Sequence, residues 1–423
     1  MCAAIPLCGL FALSAKNETV NSLCIGGMSS AQHALRRFRL PEMGWQSSSS
    51  VSSARPHAVD AVDMPESSRL HLILFEKATD MKTVVPSVKR PVVDRLAFIL
   101  PWACGRHDDQ DEMLKPVRRR IAQAIEAGTC ERAYPKGARY RENFRIVLDG
   151  GSHAYVQVGA LIPKRQKGGI RIVINPAKFC DGDAAQLNRV MRQIVGREYN
   201  LLMKRPLINC IDFAVDIHHA NLSRMLVKYS NAQRMTVMAK RMAQNCHIEG
   251  YNFGSVSSDY FVVAYDKSAE RVHAAILSML KKAKSDAGSE RLKANMVKQM
   301  KQALDGTDIV RLEVRGKKLR GLPLYKLNSL PNRFARFKFA DLNTAGAALP
   351  RLTERAFLAM CRQDGLKAAL DAFKHTKQAR KVNAYWRSHQ ASWWKPEPMW
   401  QQACDAVREI GLFPDSAFEP WDE

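Results

Sequence analysis

Three short segments of this chain set acids, guanidiniums and a phenol at alternate positions. The first is Ile211-Asp212-Phe213-Ala214-Val215-Asp216-Ile217-His218-His219. In a strand, successive side chains point to opposite faces, so Asp212, Ala214, Asp216 and His218 share one side. Phe213, Val215 and Ile217 share the other. Two carboxylates on one strand face repel unless a cation or base sits between them. A hard cation such as Mg²⁺, or Mn²⁺ in its place, takes such oxygen ligands. The second segment, Ile309-Val310-Arg311-Leu312-Glu313-Val314-Arg315, alternates strictly. It presents a carboxylate between two guanidiniums, a set that can pair internally or hold a metal beside a phosphate. The third is Tyr260-Phe261-Val262-Val263-Ala264-Tyr265-Asp266-Lys267. There Tyr265 ends an apolar run with Lys267 two positions on. A tyrosine hydroxyl can attack a phosphodiester and keep the bond energy as a phosphotyrosyl ester. Each segment also has a plainer reading: a polar face with ordinary ion pairs, or a tyrosine at the edge of a core. His218 and His219 are adjacent and so point apart, which offers no histidine metal site.

These residues need strands to hold them. Val93 to Leu100 reads as a strand closed by Pro101, and residues 115–127 suit a helix. Strand-like runs follow at 143–149, 153–162 and 169–175, with Gly150-Gly151 and Gly168-Gly169 as turns. Residues 184–200 have helical spacing. A strand is expected at 207–218, helix over 221–244, strands near 248–254 and 259–266, helices over 268–304 and a strand at 308–316. From residue 350 the pattern is helical. Several strands are joined by turns too short for parallel crossovers. The expected class is therefore α+β: an antiparallel sheet flanked by helices, followed by a helical C-terminal region. The expected divisions are 1–91, a serine-rich leader without sustained period that is disordered or mis-started; 92–340, the domain with the chemistry; and 341–423, helical. Met64 and Met81 are alternative starts.

Charge narrows the partner. Lys and Arg number 65 against 41 Asp and Glu, a net +24 over 423 residues. Such an excess favours a polyanion, because each neutralised phosphate releases condensed counterions. Ten cysteines are scattered without a CxxC pair, which argues against a zinc ribbon and for reduced thiols in a cytosolic compartment. No run approaches the roughly 18 apolar residues of a membrane helix. The basic stretch Pro163-Lys164-Arg165-Gln166-Lys167 suits phosphate contact. Lys281, Lys282, Lys284, Arg291, Lys293, Lys298 and Lys301 form a binding face or a solvated one. Lys377, Arg380, Lys381, Arg387 and Lys395 are interleaved with Tyr385, Trp386, Trp393 and Trp394. That mix fits bases stacking on rings while cations follow the backbone, or equally a helix pair whose aromatics are core.

Taken in order, these segments resemble the filamentous-phage gene II replication proteins. The resemblance runs from about residue 93 to the C-terminus. It rests on Val93 to Pro101, on Asn175-Pro176-Ala177-Lys178 with Gly182, on Ile211-Asp212, and on Val263-Ala264-Tyr265 with Lys267. Val310 to Arg315 followed by Gly321-Leu322-Pro323-Leu324 is the strongest part, and Pro398-x-Trp400 with Gly411-Leu412-Phe413-Pro414 resembles the family's ending. The same strands are similar to plasmid initiators and relaxases, which use an Asp-rich strand, a Tyr-Asp-Lys and an Arg-x-Glu. Asp216 and Asp266 match that wider group and not the coliphage pattern, and the leader has no counterpart in the phage family.

The resemblance implies a metal-dependent, site-specific nickase and strand transferase that starts rolling-circle DNA replication in the cytoplasm of a bacterial host. Tyr265 would be the nucleophile, with Lys267, Arg311 and Arg315 on the phosphate. Asp212, Glu313 and Asp216 would hold Mg²⁺ or Mn²⁺. Its partners would be a double-stranded origin, the single-stranded product, and a host helicase and polymerase, with no membrane. The rival class is a non-catalytic, sequence-specific DNA-binding protein that marks an origin or represses transcription, which needs the charge and not the carboxylates. An RNA-binding role lacks an RNP-like aromatic motif. If residues 1–80 are a leader, a chain starting at Met81 nicks DNA as well as the whole one. A loss above about tenfold, or ~1.4 kcal/mol, in that comparison contradicts the assignment.

Overall fold

The computed structural model describes residues 84–102, 107–135, 139–162, 169–230, 232, 235–241, 246–255, 257–271 and 308–421. The leader, the basic stretch at 163–167 and the lysine-rich segment at 281–301 lie outside the described residues.

Long runs of β-branched and aromatic residues build one large antiparallel sheet. Its strands are β1 (Ser87–Val88), β2 (Val92–Leu100), β3 (Cys130–Arg132), β4 (Tyr140–Val147), β5 (His153–Ala160), β6 (Ile170–Ile174), β7 (Leu207–His218), β9 (Met235–Arg241), β10 (Cys246–Phe253), β11 (Tyr260–Asp266), β12 (Ile309–Gly316) and β13 (Leu322–Pro323). The order across the sheet is β3-β4-β5-β6-β2-β7-β12-β11-β10-β9, and β1 and β13 pair with the two ends of β7. A second, two-stranded sheet joins β8 (Met225–Tyr229) to β14 (Phe337–Asp341). Every pair is antiparallel.

The helices are α1 (His107–Glu126), α2 (Asp183–Val195), α3 (Tyr199–Leu202), α4 (Arg351–Asp364), α5 (Leu366–Phe373), α6 (Ala379–Ser388) and α7 (Pro396–Glu409). Gly196 ends α2 at a positive φ of 97°, a turn that a residue with a Cβ adopts only under strain. The apolar stripes of α1 (Leu114, Val117, Ile121), α2 (Leu187, Met191, Ile194) and α7 (Met399, Ala403, Val407) share one core with Ile211, Phe213, Val215 and Ile217 of β7. Phe213 meets Trp400 edge to face with centroids 5.5 Å apart, and Phe98 meets Phe413 at 4.9 Å. One face of the sheet is thus sealed by helices, as binary patterning requires. A second core gathers Leu226 and Ala340 of the small sheet with Phe357, Cys361, Leu366, Ala369, Val382, Tyr385 and Trp386.

The α+β class holds, and β7 has the predicted bounds of 207–218. The helix expected over 221–244 is wrong. After a short turn at Leu222–Arg224 the chain forms β8 and β9. Met225, Leu226 and Val227 are all buried, and β8 finds its partner more than a hundred residues on, where Met225 pairs Asp341 and Tyr229 pairs Phe337. Local spacing carries no record of so distant a ladder, and tertiary pairing overrides helix propensity.

If Phe213 and Trp400 lock α7 onto the sheet, Phe213→Ala lowers unfolding free energy by about 3–5 kcal/mol in urea titrations. Leu352→Ala, at a residue 82% exposed, changes it by no more than about 0.5 kcal/mol. Similar values for the two variants contradict this packing.

Candidate active site on the polar sheet face

The register brings the three singled-out segments together. Arg311 lies opposite Asp216 on β7 and opposite Tyr265 on β11. Glu313 lies opposite Ala214, and Arg315 opposite Asp212. Alternation then puts Asp212, Asp216, Arg311, Glu313, Arg315 and Tyr265 on one face, the side away from α1, α2 and α7.

The contacts are specific. Tyr265 Oη donates to Glu313 Oε1 at 2.8 Å. The other Glu313 oxygen, Oε2, accepts Arg315 Nε at 2.8 Å and a second guanidinium nitrogen. Arg311 grips Asp216 with two bonds, Nε to Oδ1 at 2.6 Å and a terminal nitrogen to Oδ2 at 2.8 Å. Lys267 opens a helical turn just after β11, pairs with Glu270, and stands 5.8 Å from the Tyr265 ring centre. Glycine at 250, opposite Tyr265, lets β10 and the Met238 side chain pack closely there. A Cβ there would fall 3.1 Å from the tyrosine Cβ and 2.9 Å from the Ala264 carbonyl oxygen.

Three features were not singled out from the sequence. Asp94 sits in a bulge of β2, between Val93 and Arg95, and its Oδ1 lies 3.7 Å from Arg311 across β7. Ala214 on the intervening strand has only a methyl group to place there. Arg95 lies opposite Asp212, and Cys210 Sγ donates to Asp212 Oδ1 at 3.7 Å. Beyond β2 the polar face continues. Arg171 donates to Gln157 at 2.6 Å, and Gln157 donates to Asn143 at 2.8 Å.

Electrostatics mark Asp212. Burial pushes its carboxyl up to about 6, Arg95 and Arg315 pull it back, and Glu313 and Asp94 add repulsion. Asp94 is raised by burial and then by Glu313. The Tyr265 phenol is pushed up as well, by burial first and by Glu313 second. Arg311 pulls the other way, burial and the carboxylate outweigh it, and the resting phenol keeps its proton.

The carboxylates suit a hard cation only in part. Asp212 and Glu313 are 7% and 3% exposed and are diagonal neighbours on adjacent strands. Their repulsion is the kind a cation relieves. Asp216, however, has both oxygens committed to Arg311. Among the described residues no three His, Cys, Asp or Glu side chains are gathered to hold a metal. Glu313 is likewise engaged, Oε1 by the Tyr265 hydroxyl and Oε2 by Arg315, so the set fits an ion that takes Asp212 and a Glu313 oxygen released by its partner and completes its shell with phosphate oxygens and water, as Mg²⁺ does.

The aromatics of the basic C-terminal stretch are core. Tyr385 and Trp386 are buried, and Trp393 and Trp394 pack on Phe339 with centroids 5.7 and 4.9 Å away. Among the described residues no helix is long and apolar enough to cross a membrane.

The chain matches no family model and no curated protein. Among solved structures it is similar to the rolling circle replication initiator protein from Geobacillus stearothermophilus. Identity is 12%, 55% of this chain and 75% of that one are covered, and the TM-score is 0.27.

The shift at Asp212 has a definite sign. Its folded-state value lies above the ordinary carboxyl value of 3.8, so the folded chain binds the proton more tightly than the unfolded one. Stability therefore falls as pH rises from about 4 to about 6 and is flat above. In chelator, Asp212→Asn is more stable than the parent at pH 7.5, by up to ~3 kcal/mol, and the gain vanishes below about pH 4. An asparagine variant less stable at pH 7.5 contradicts the assignment.

Proposed function

We propose that this chain is a rolling-circle replication initiator of the phage or plasmid type, a nickase and strand transferase with Tyr265 as nucleophile. The observation that carries the reading is the Tyr265–Glu313 hydrogen bond at 2.8 Å, flanked by the Arg311 and Arg315 guanidiniums on the polar face of the sheet. A phenol with a proton acceptor and two phosphate-binding cations beside it is the set a phosphodiester attack needs. The net charge of +24 and the resemblance of the strands to gene II proteins support the same reading.

In the proposed reaction Tyr265 Oη bonds to phosphorus and passes its proton to Glu313. The bond from phosphorus to the 3′ oxygen breaks, and that oxygen leaves as a hydroxyl after taking a proton from water. The product is a 5′-phosphotyrosyl ester, and the same step in reverse rejoins the strand without ATP. Arg315 moves from Glu313 to the phosphate as the carboxylate is protonated. Lys267 lies beside the ring, where an ammonium lowers the energy of the developing phenolate. Arg311 is oriented by its two bonds to Asp216, so we assign Asp216 to positioning that guanidinium. Asp212 and the Glu313 Oε2 that Arg315 vacates, the oxygen that does not face the tyrosine, are the groups we assign to Mg²⁺ or Mn²⁺, which when bound would polarise the phosphate and stabilise the departing oxygen. The origin duplex, the displaced single strand and a host helicase and polymerase are the partners of such an enzyme.

The test is Tyr265→Phe with supercoiled circles and Mg²⁺. Nicking and the covalent adduct should fall by about three orders of magnitude or more, while DNA affinity stays within about twofold, under ~0.5 kcal/mol. Tyr251→Phe and Tyr260→Phe are the controls. Tyr251 is buried in the main core, and the Tyr260 ring lies under Arg333 at 3.8 Å. Full adduct with Tyr265→Phe, or loss of it in either control, overturns the assignment of the nucleophile. Salt-dependent binding with no cleavage in chelator or in Mg²⁺ favours the non-catalytic origin marker or repressor.

A further inference from the structure

We infer that α6 is a second DNA-binding element that docks in the major groove of duplex DNA, separate from the sheet face where a strand would be cut. The inference rests on the nucleic-acid reading given above and adds a place on the chain for the intact duplex.

The sequence over 374–395 contains no acid. It has six cations, Lys374, Lys377, Arg380, Lys381, Arg387 and Lys395. The structure divides this stretch by face. Val382, Tyr385 and Trp386 are buried in the second core, where Phe357, Cys361, Leu366 and Ala369 of α4 and α5 hold them. Tyr385 Oη also donates to Glu354 Oε1 of α4 at 2.9 Å. α6 is therefore clamped along one side. The other side is exposed: Lys377 before the helix, then Arg380, Lys381, Asn383, Ala384 and Arg387. Positions 380, 383, 384 and 387 have the i, i+3, i+4, i+7 spacing of a single helix face.

Lys377, Arg380, Lys381 and Arg387 have no carboxylate partner among the described residues, whereas Lys367 on neighbouring α5 is neutralised by Asp371 at 3.0 Å. An unpaired row of cations over a rigid backing is what a polyphosphate neutralises. The helix also suits the shape of the partner. With side chains it is about 10–12 Å across, and the major groove of B-form DNA is about 12 Å wide. Ala384 in mid-row lets the backbone approach, and Asn383 and Arg387 are side chains able to pair with base edges.

The other polyanions fit less well. A single strand needs exposed rings for stacking, and here the rings are buried. The major groove of duplex RNA is too narrow for a helix. An anionic lipid surface needs an apolar face to insert, and the outward side of α6 offers only Ala384.

The experiment compares the full chain with its Arg380→Ala/Lys381→Ala/Arg387→Ala variant on fluorescent random-sequence probes. These are a B-form duplex, the matching single strand and the matching RNA duplex, with anionic phosphatidylserine vesicles as a fourth. On duplex DNA the variant should lose about tenfold or more in affinity. Its plot of log affinity against log salt should flatten by roughly 2–3, about 0.9 for each phosphate that the variant no longer neutralises. Affinity for the single strand should stay within about twofold of the parent, under ~0.5 kcal/mol. Ala384→Glu, at an exposed position, places a carboxylate in the row and should weaken duplex binding in the same selective way. Unchanged duplex binding in both variants overturns the proposal, as does an equal loss on single strand, or a loss confined to RNA or vesicles. The two readings fail separately. A chain that binds duplex through α6 yet never nicks refutes only the catalytic proposal. A chain that forms the Tyr265 adduct with α6 silent refutes only this one.

Discussion

Two carboxylates, Asp212 and Glu313, are almost fully buried on neighbouring strands near the middle of a twelve-stranded sheet. Like charges held this way in low dielectric repel, and each must be paired or protonated. Much of the surrounding architecture is a response to that constraint. Arg315 holds Glu313 and stands opposite Asp212, and Arg95 faces Asp212 from the other side. Arg311 takes Asp216 and leans toward Asp94. The residual imbalance appears at Asp212, whose carboxyl sits at about 6. A site left under tension of this kind is primed to gain from a cation or a protonation change, which is why perturbed carboxylates mark functional places.

The fold makes the constraint tolerable by separating two tasks. On the covered side, Phe98, Phe213 and the stripes of α1, α2 and α7 form the main core. On the opposite side, the same strands present Asp212, Arg311 and Tyr265. Because the strand period is two, neither task disturbs the other. The C-terminal helices also divide their work. α7 and the tail complete the main core, while α4, α5 and α6 pack on the β8–β14 pair around a second one.

What could be read from the sequence follows this period. β7 and β12 alternate strictly, so the partition of Asp212, Asp216, Arg311, Glu313 and Arg315 from their apolar neighbours was visible, as was the end-of-strand place of Tyr265. Asp94 was missed because it breaks the rule. In Val93-Asp94-Arg95-Leu96 the buried residues are three apart where alternation asks for two, and the bulge that absorbs the slip carries Asp94 toward Arg311. A phase slip inside an apolar run was the available signal. Gly250 gave a similar one, as an isolated glycine in a strand pattern often marks close approach. Nothing local could reveal β8, whose partner is β14, nor that Arg311 would claim both oxygens of Asp216. Side-chain pairing across strands depends on register, which no single segment encodes.

In the reaction we propose, the phenol oxygen hydrogen-bonded to Glu313 attacks DNA. The most direct test is chemical mapping of the covalent product. The full chain is incubated with supercoiled circles and Mg²⁺, the adduct is digested with nuclease and protease, and the nucleotide-bearing peptide is sequenced by mass spectrometry. The expected product is a single 5′-phosphotyrosyl nucleotide on Tyr265. A nucleotide on Tyr251, Tyr260 or any other residue, or nicked circles without a tyrosyl adduct, contradicts it.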